Sequence, residues 1–380
     1  MYKKMIPIFL SIIILFTQSG CWEGRELNAR AFVTAVAFDM PEDPKALPNQ
    51  FLFSIQVPIP EKMAGGESGK STGGKSFLVF GSTSDNVLSS ILQLQRQLDR
   101  KIFFGHTMLI LVNEEVASVF GLERVLDYFK RNFRIPRIAR VAIVEGEARE
   151  ILNIQPPIGQ TPSTYILNLI SPQSGSSFNY ISDLGKWLVL ESDEGIDPVL
   201  PRISKGKETA LTGGAAVLKN GRFIGWLNNF ETRGLNILLN EFTESDYRVK
   251  CPFHPEEIIC VGVNNLRSTY RLVKEGDNPV FKINVQGKFE TREFSGNHGP
   301  MVQLTEGLER KVTEKVREEI EMVILKAQNL GADILGVGRY IQAYHPQLWA
   351  ELNWDQEFSY FPIKLEVKME WALTVRRLGA

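Results

Sequence analysis

Apolar positions recur along the chain at two spacings, and the two spacings alternate through the first half. Strand-like runs are predicted at 30–39, 51–57, 77–80, 103–112 and 138–144. Helical spacing follows between them, with Val87 to Leu98 capped by Thr83 or Ser84, one or two helices over 115–133, and short helices at 148–154 and 180–190. Strands that alternate with helices predict a mixed α/β (α+β) fold of mixed sheets with packed helices.

The clearest single elements lie in the second half. Thr305 to Leu330 carries one apolar stripe at helical spacing, and its charged residues, including Glu318 and Glu319, are expected on a solvated face. The run 363–375 alternates apolar and polar residues, which predicts a strand with one buried face. Asn220-Gly221 between two strand-like runs predicts a type I′ hairpin, and strands are expected at 270–273 and 281–289.

Composition shifts divide the chain into two to three successive domains. A Pro-, Gly- and Lys-containing stretch at 197–208 is interpreted as the main boundary, and 155–177 as a long connection. The predicted organisation is a leader at 1–20, an N-terminal region at 21–200 with a flexible loop at 62–76 and room for two subdomains, and a C-terminal domain at 210–380.

The first 20 residues have the outline of a signal peptide. Lys3 and Lys4 precede an apolar run from Met5 to Phe16, which is shorter than the ~20 residues of a transmembrane helix. Ser19-Gly20-Cys21 then predicts cleavage before Cys21 and its modification as an N-palmitoyl, S-diacylglycerol cysteine. Gln18 departs from the usual lipobox. A plain secretory cut and an uncleaved anchor are the alternatives.

Charge and cysteine usage limit the remaining chemistry. Lys and Arg number 43 against 44 Asp and Glu, a balance that offers no footprint for nucleic acid. Cys251 and Cys260 form either a disulfide or two separate thiols. A metal site that combines them with His254 lacks a fourth ligand and normal zinc spacing, so no metal or cofactor is expected.

Two motifs suggest catalysis or nucleotide binding but lack the necessary context. Gly69 to Ser76 matches a P-loop letter for letter, yet strand-like residues follow where a helix must begin, so a solvated loop is expected. His106 is expected on a buried strand, and no nucleophile or acidic partner can be paired with it from the sequence. An exported hydrolase is therefore a weak hypothesis, and we predict that the protein is not an enzyme.

Short motifs in a fixed order carry a resemblance to a known family. They begin with Gly20-Cys21-Trp22 and Arg25-Glu26-Leu27-Asn28 directly after the leader. The others are Phe104-Gly105-His106, Glu114-Glu115-Val116-Ala117, Arg134-Ile135-Pro136, Gly213-Gly214-Ala215-Ala216-Val217, Gly225-Trp226-Leu227, Glu231-Thr232-Arg233-Gly234 and Asp333-Ile334-Leu335-Gly336. Together the chain resembles the Ger(x)C spore germination lipoproteins, with Glu23-Gly24 as a small departure.

The resemblance implies a role rather than a reaction. It implies a lipoprotein on the outer face of the spore inner membrane, the C subunit of a nutrient germinant receptor. It would act with a membrane-embedded A subunit and a transporter-like B subunit, and be joined to the lipid bilayer through acylated Cys21. No catalytic residue belongs to the family pattern. The alternative is a solute-binding lipoprotein that captures the germinant itself.

Overall fold

A computed structural model describes residues 29–43, 45–59, 75–157, 161–171, 177–276, 278–293 and 301–372. The predicted leader, Cys21, most of the P-loop-like segment and the end of the last predicted strand lie outside these residues.

Fourteen strands are assigned in the described residues. They are β1 Arg30–Phe32, β2 Ala35–Asp39, β3 Phe51–Pro58, β4 Phe77–Ser84, β5 Lys101–Phe103, β6 Leu109–Asn113, β7 Arg140–Glu145, β8 Val199–Lys205, β9 Ala210–Lys219, β10 Arg222–Leu227, β11 Glu244–Lys250, β12 Ile258–Glu275, β13 Asn278–Glu293 and β14 Ile363–Trp371.

Eleven α-helices accompany them over the same residues. They are α1 Val87–Gln95, α2 Glu114–Val119, α3 Leu122–Arg131, α4 Ala148–Asn153, α5 Pro162–Leu169, α6 Leu184–Glu191, α7 Asn229–Leu238, α8 Met301–Leu330, α9 Val337–Tyr344, α10 Pro346–Glu351 and α11 Trp354–Glu357. A 3₁₀ turn, Phe358–Tyr360, follows α11.

The larger sheet has eight strands in the order β10-β9-β8-β7-β6-β2-β3-β4. Its four middle strands, β8, β7, β6 and β2, run parallel, and antiparallel strands flank them on both sides. Helices α1, α2, α3 and α6 cover one face of the sheet, while α4 and α5 cover the other. Because both faces are buried, β2 and β6 are nearly continuous apolar runs.

A second sheet has four strands in the order β11-β12-β13-β14, and β1 and β5 form a separate two-stranded parallel sheet. Helix α8 packs on one face of the four-stranded sheet, and the long apolar stripe of the helix is buried there. The strands therefore alternate: Val367 and Met369 of β14 are buried, whereas Lys368 and Glu370 are exposed. The mixed α/β fold and the alternation of the final strand over 363–371 are confirmed.

The turn residues form the predicted hairpin. Asn220 and Gly221 have φ angles of 50° and 70°, and β9 and β10 pair on either side of them. Positive φ at both central residues is what a type I′ turn requires, and Gly adopts it without steric cost. The predicted type I′ hairpin at Asn220-Gly221 is confirmed.

Several boundaries predicted in the first half were wrong. The single strand expected at 103–112 is two strands, because the chain turns at Gly105 and His106, and His106 is exposed at that turn. The side chain that caps α1 is Asn86, which accepts from the Ser89 amide, rather than Thr83 or Ser84. Leu98 lies beyond the end of α1.

Two segments predicted as connections contain regular structure. Helix α5 forms within 155–177, where Thr161 caps its start and Pro162 opens it, a placement in which proline's missing amide costs nothing. Strand β8 forms within 197–208, and β9 and β10 of the following region complete the same sheet. The stretch 197–208 is therefore not a linker, while the division into regions 21–200 and 210–380 stays a prediction.

Candidate functional site

The residues with predicted chemistry do not come together in the structure. Cys21 lies outside the described residues, so its lipidation stays a prediction. Cys251 is buried, Cys260 is partly buried, and both are thiols rather than partners in a disulfide. Within the described ranges, no group of three or more His, Cys, Asp or Glu side chains is arranged to hold a metal ion.

His106 occupies a packing position rather than a catalytic one. Its ring packs edge-on against Phe32 with a centroid distance of 4.8 Å, on the turn before β6. None of the helices in the described part of the chain is both long and apolar enough to span a bilayer.

The features that do stand out are buried or partly buried charged groups at two places in the fold.

The first feature is Asp333, at the turn between α8 and α9. Its side chain is buried, and its Oδ1 accepts hydrogen bonds from the amides of Leu335, Gly336 and Val337 at 3.1, 2.8 and 3.2 Å. Its Oδ2 accepts from the Gly338 amide at 2.7 Å and from the indole Nε1 of Trp354 at 3.1 Å. One carboxyl group therefore satisfies the amides that lead into α9 and fixes the position of α11.

Asp197 joins this turn to the first region of the chain. Its Oδ2 accepts from the Asp333 amide at 2.8 Å, and its own amide donates to the Asp333 carbonyl oxygen at 2.8 Å. Arg339 of α9 makes a second connection to the same segment. Its amide donates to the Gly195 carbonyl at 2.7 Å, and its Nε lies 2.8 Å from Oδ2 of Asp193. The segment just before β8 is thus held to the start of α9, and we call this contact the joint.

A cleft of about 780 Å³ opens beside the joint. The acidic residues that line it are Glu191, Asp193, Glu194, Asp197, Asp333 and Asp355, and Lys219 is the basic residue in its lining. Burial, followed by repulsion from Glu123 and Asp197, raises the pKa of Glu191 to about 7. Its Oε2 is buried and has no hydrogen-bond partner in the described structure.

The two aspartates of the joint also titrate unusually high. Burial raises the pKa of Asp333 to about 7, against the opposing effect of the amide and indole donors. Burial raises the pKa of Asp197 to about 6, and Lys219 opposes that shift. Both oxygens of Asp333 and Oδ2 of Asp197 already accept hydrogen bonds from the chain, so these two residues hold the joint together.

The second feature is an ion pair between α7 and α8. Arg233 is 3% exposed and Glu319 is fully buried, and the Nε of Arg233 lies 2.7 Å from Oε2 of Glu319. The Tyr247 hydroxyl donates to the same oxygen at 3.2 Å, and the guanidinium lies 3.8 Å from the centre of the Tyr247 ring. Glu319 was predicted on the solvated face of the helix, and that prediction was wrong.

The neighbouring motif residues bring the two helices close enough for this pair. Glu231 and Asn228 form a capping box at the start of α7. Gly234 faces α8, where an added Cβ would lie 2.4 Å from the carbonyl oxygen of Glu319. Within Glu231-Thr232-Arg233-Gly234, Glu231 therefore caps α7, and Arg233 and Gly234 form the contact with Glu319 of α8. Thr232 is buried, and its hydroxyl has no hydrogen-bond partner in the described residues.

Comparisons with known proteins agree with the order of the motifs. The family model described as "Spore germination protein N-terminal domain" matches residues 23–205. The model described as "Spore germination B3/ GerAC like, C-terminal" matches residues 213–379. The chain belongs to this spore germination family. Its two matched segments meet around the β8–β9 connection, within the eight-stranded sheet.

Relatives in the spore germination family match over nearly their whole lengths. Spore germination protein KC of Bacillus subtilis is 23% identical over 100% of this chain and 97% of its own. Spore germination protein YndF of the same organism is 22% identical over 99% of this chain and 98% of its own. The crystal structure of the GerBC protein aligns with a TM-score of 0.59 at 19% identity, covering 89% of this chain and 98% of that chain.

These matches confirm the resemblance and the fold class. A role in spore germination follows from membership of the family. The family is one of germinant receptor subunits and is not a known enzyme family. Sequence reasoning missed the Arg233–Glu319 pair and the joint at Asp333, although Arg233 and Asp333 both lie within motifs that it had singled out.

Proposed function

We propose that the protein is a non-catalytic, lipid-anchored C subunit of a nutrient germinant receptor, which acts with membrane-embedded A and B subunits in spore germination. The observation that carries the proposal is the match of both family models, which together span residues 23–205 and 213–379. The outer face of the spore inner membrane is the proposed location, and acylated Cys21 is the proposed attachment.

The proposed anchor gives the subunit a physical advantage. Partners confined to one membrane have a high effective concentration, which strengthens their association without any new contact. A single acyl chain holds a protein only marginally, whereas two chains give stable attachment. The diacylglyceryl cysteine predicted at Cys21 supplies at least two.

Replacement of the anchoring cysteine tests the proposal. We expect Cys21→Ala to move the protein out of the spore membrane fraction and to weaken germination triggered by nutrients through this receptor. Germination triggered independently of nutrient receptors should be unchanged. The measurement is immunoblotting of membrane and soluble fractions together with germination kinetics.

A matched control removes a different thiol. Cys260 is partly buried on β12, and Cys260→Ser should leave the membrane fraction unchanged. If Cys21→Ala remains fully in the membrane fraction, Cys21 is not the anchor. Co-purification from detergent-solubilised spore membranes tests the A and B subunits separately, since their absence would contradict the proposed assembly even if the anchor is correct.

The cleft beside the joint supports a second candidate, a germinant-binding lipoprotein. Its acidic lining and the unpartnered Oε2 of Glu191 suit a ligand with a cationic amino group. Calorimetric titration of the purified protein with nutrient amino acids distinguishes the candidates. Saturable binding that Glu191→Gln abolishes would favour the second one, and no heat of binding would favour the first.

A further inference from the structure

The loop between α3 and β7, residues 132–139, displays large apolar side chains to solvent. Phe133 is 85% exposed, more than any other large apolar residue in the described part of the chain, and Ile138 is 64% exposed. Between them, Ile135 is only 2% exposed and belongs to the core under the sheet. We call residues 132–139 the apolar loop. Exposed apolar side chains in such a group indicate a contact surface.

Hydrogen bonds hold the apolar loop in this shape. The Asn132 side chain accepts from the Arg134 amide at 3.1 Å, and the Pro136 carbonyl accepts from the Ala139 amide at 3.1 Å. The first residues of α6 hold the far side, because the amides of Leu184 and Gly185 donate to the carbonyls of Ala139 and Arg137, each at 2.9 Å. The outward position of Phe133 and Ile138 is therefore built into the fold.

The segment that contains the apolar loop carries only basic charges. Residues 130–140 contain five basic residues and no acidic residue, whereas the whole chain has a net charge of −1. Arg131 pairs with Asp127, and Arg140 lies 3.7 Å from Asp183. Arg134 and Arg137 have no ion pair with any carboxylate of the described residues. The Arg137 guanidinium donates one hydrogen bond to the Lys130 carbonyl at 2.8 Å, and the Arg134 guanidinium lies 5.6 Å from the centre of the Phe133 ring. Each guanidinium has five N–H donors, so both keep donors for an anionic partner.

The apolar loop lies at the end of the eight-stranded sheet where the parallel strands β2, β6 and β7 begin, and we call this end the edge. Strands β2, β6 and β7 are parallel neighbours, so they all begin at this edge. The amide of Met108 donates to the carbonyl of Thr34, and the amide of Arg140 donates to the carbonyl of Met108, which joins the three starting points directly. The apolar loop runs straight into Arg140.

The length of chain before this edge limits its distance from the proposed anchor. Ala29, the first described residue, precedes β1 and β2, and eight peptide steps separate it from Cys21. At ~3.6 Å per residue, those steps span roughly 29 Å at most. A lipid on Cys21 therefore keeps Ala29, the residue before β1, within roughly 29 Å of the anchor.

We propose that the apolar loop rests on the bilayer that carries the anchor. Phe133 and Ile138 insert among the lipid acyl chains, and Arg134 and Arg137 contact the headgroup phosphates of anionic lipids. Apolar residues flanked by basic ones are the combination that binds an anionic membrane surface. This proposal rests on the proposed lipid anchor, and it fixes which end of the larger sheet faces the membrane.

Site-specific fluorescence on the full chain tests the contact. The acylated protein is reconstituted in vesicles of phosphatidylcholine with phosphatidylglycerol, and Phe133→Cys is labelled with the environment-sensitive dye NBD. We expect a blue-shifted, brighter emission that lipid-borne nitroxides quench. The unsubstituted chain, labelled in the same way, gives the background from Cys251 and Cys260.

A matched variant places the dye at the opposite end of the same sheet. Leu47 is an exposed apolar residue, 60% accessible, on the connection between the end of β2 and the start of β3. A dye at Leu47→Cys should report water in the same vesicles. The paired change Arg134→Gln with Arg137→Gln should lower the partition constant of the Phe133 dye into lipid by roughly 25-fold, because each arginine near an anionic surface adds ~1 kcal/mol of attraction, equivalent to roughly fivefold in partitioning.

Three other results would contradict either the membrane contact of the apolar loop or the lipid anchor. A Phe133 dye that reports water while the chain stays on the vesicles overturns the apolar-loop proposal and leaves the anchor intact. A shift seen only in membranes that also contain the A and B subunits overturns it in favour of a protein partner. Loss of the chain from vesicles after correct acylation contradicts the anchor instead, and fractionation of Cys21→Ala measures that separately.

Discussion

Two regions of this protein bury a carboxyl group, and they stabilise it by different means. At the joint, Asp333 receives five N–H donors and, from the described residues, no counter-ion. Between α7 and α8, Glu319 receives a guanidinium from Arg233 and a hydroxyl from Tyr247. The first arrangement depends on backbone geometry within one turn, and the second depends on a partner 86 residues away in the sequence.

The difference predicts how each region fails. A buried ion pair is costly to break because the surviving charge has no solvent to stabilise it. A carboxyl group held by amides loses acceptor capacity when it is changed, but leaves no opposite charge behind. Substitution of Glu319 should therefore lower the free energy of unfolding more than substitution of Asp333.

The largest effect is expected from breaking the ion pair. Glu319→Ala should lower the free energy of unfolding by about 3–5 kcal/mol, because it leaves the Arg233 guanidinium buried and unpaired. Chemical denaturation followed by circular dichroism measures the change. Glu318→Ala is the control on the same helix, since its side chain is exposed and forms a surface pair with Lys315, so a change within about 0.5 kcal/mol is expected.

A double substitution tests whether the loss of stability in Glu319→Ala comes from the unpaired charge of Arg233. Replacing both partners, Arg233→Met with Glu319→Leu, should recover most of the stability lost in Glu319→Ala, because no unpaired charge remains. A double variant that is no more stable than the single one would show that the charges themselves, and not only their pairing, are needed there.

A smaller effect is expected at the joint. Asp333→Asn should lower the free energy of unfolding by about 2–3 kcal/mol, because the amide has one acceptor oxygen in place of two and turns an NH₂ group toward backbone donors. Asp355→Asn changes a more exposed carboxyl of the same cleft and serves as the control. Equal stability of the two variants would contradict the structural role of Asp333.

The stability of the folded chain should also depend on pH. The folded-state pKa values of Asp333, Glu191, Asp197 and Asp39 are all raised above their ordinary values, to about 7, 7, 6 and 6. The folded state therefore binds these protons more tightly than the unfolded state does. The free energy of unfolding should fall as pH rises from about 4 to about 7, because the protons that stabilise the folded state are lost through this range.

Denaturation midpoints on either side of this range measure the pH effect. The direction is opposite to that of surface carboxylates such as Glu275, whose pKa is lowered by Lys364 and Lys282 and whose contribution is lost in acid. Asp333→Asn should flatten the dependence, since it removes one of the titrating groups. Stability that rises through this range in the unsubstituted protein would contradict the raised pKa values.

Local patterns were sufficient wherever the signal was periodic or lay within a turn. The apolar stripe of α8, the alternation of β14 and the Asn220-Gly221 hairpin all follow from side-chain spacing and backbone φ preferences. The same patterns failed where a strand or helix was short. The break at His106 and the strand β8 inside a Pro- and Lys-containing stretch depend on neighbouring strands that are distant in sequence.

The sequence by itself determined the class of elements, their order and the family, because these depend on periodicity and on motifs read in one dimension. Only the tertiary structure decided that Glu319 is buried. Its spacing from Val316 and Val323 already placed it beside the apolar stripe, but charge alone suggested solvent. The burial of Glu319 became favourable only where Gly234 lets α7 approach and Arg233 supplies the opposite charge.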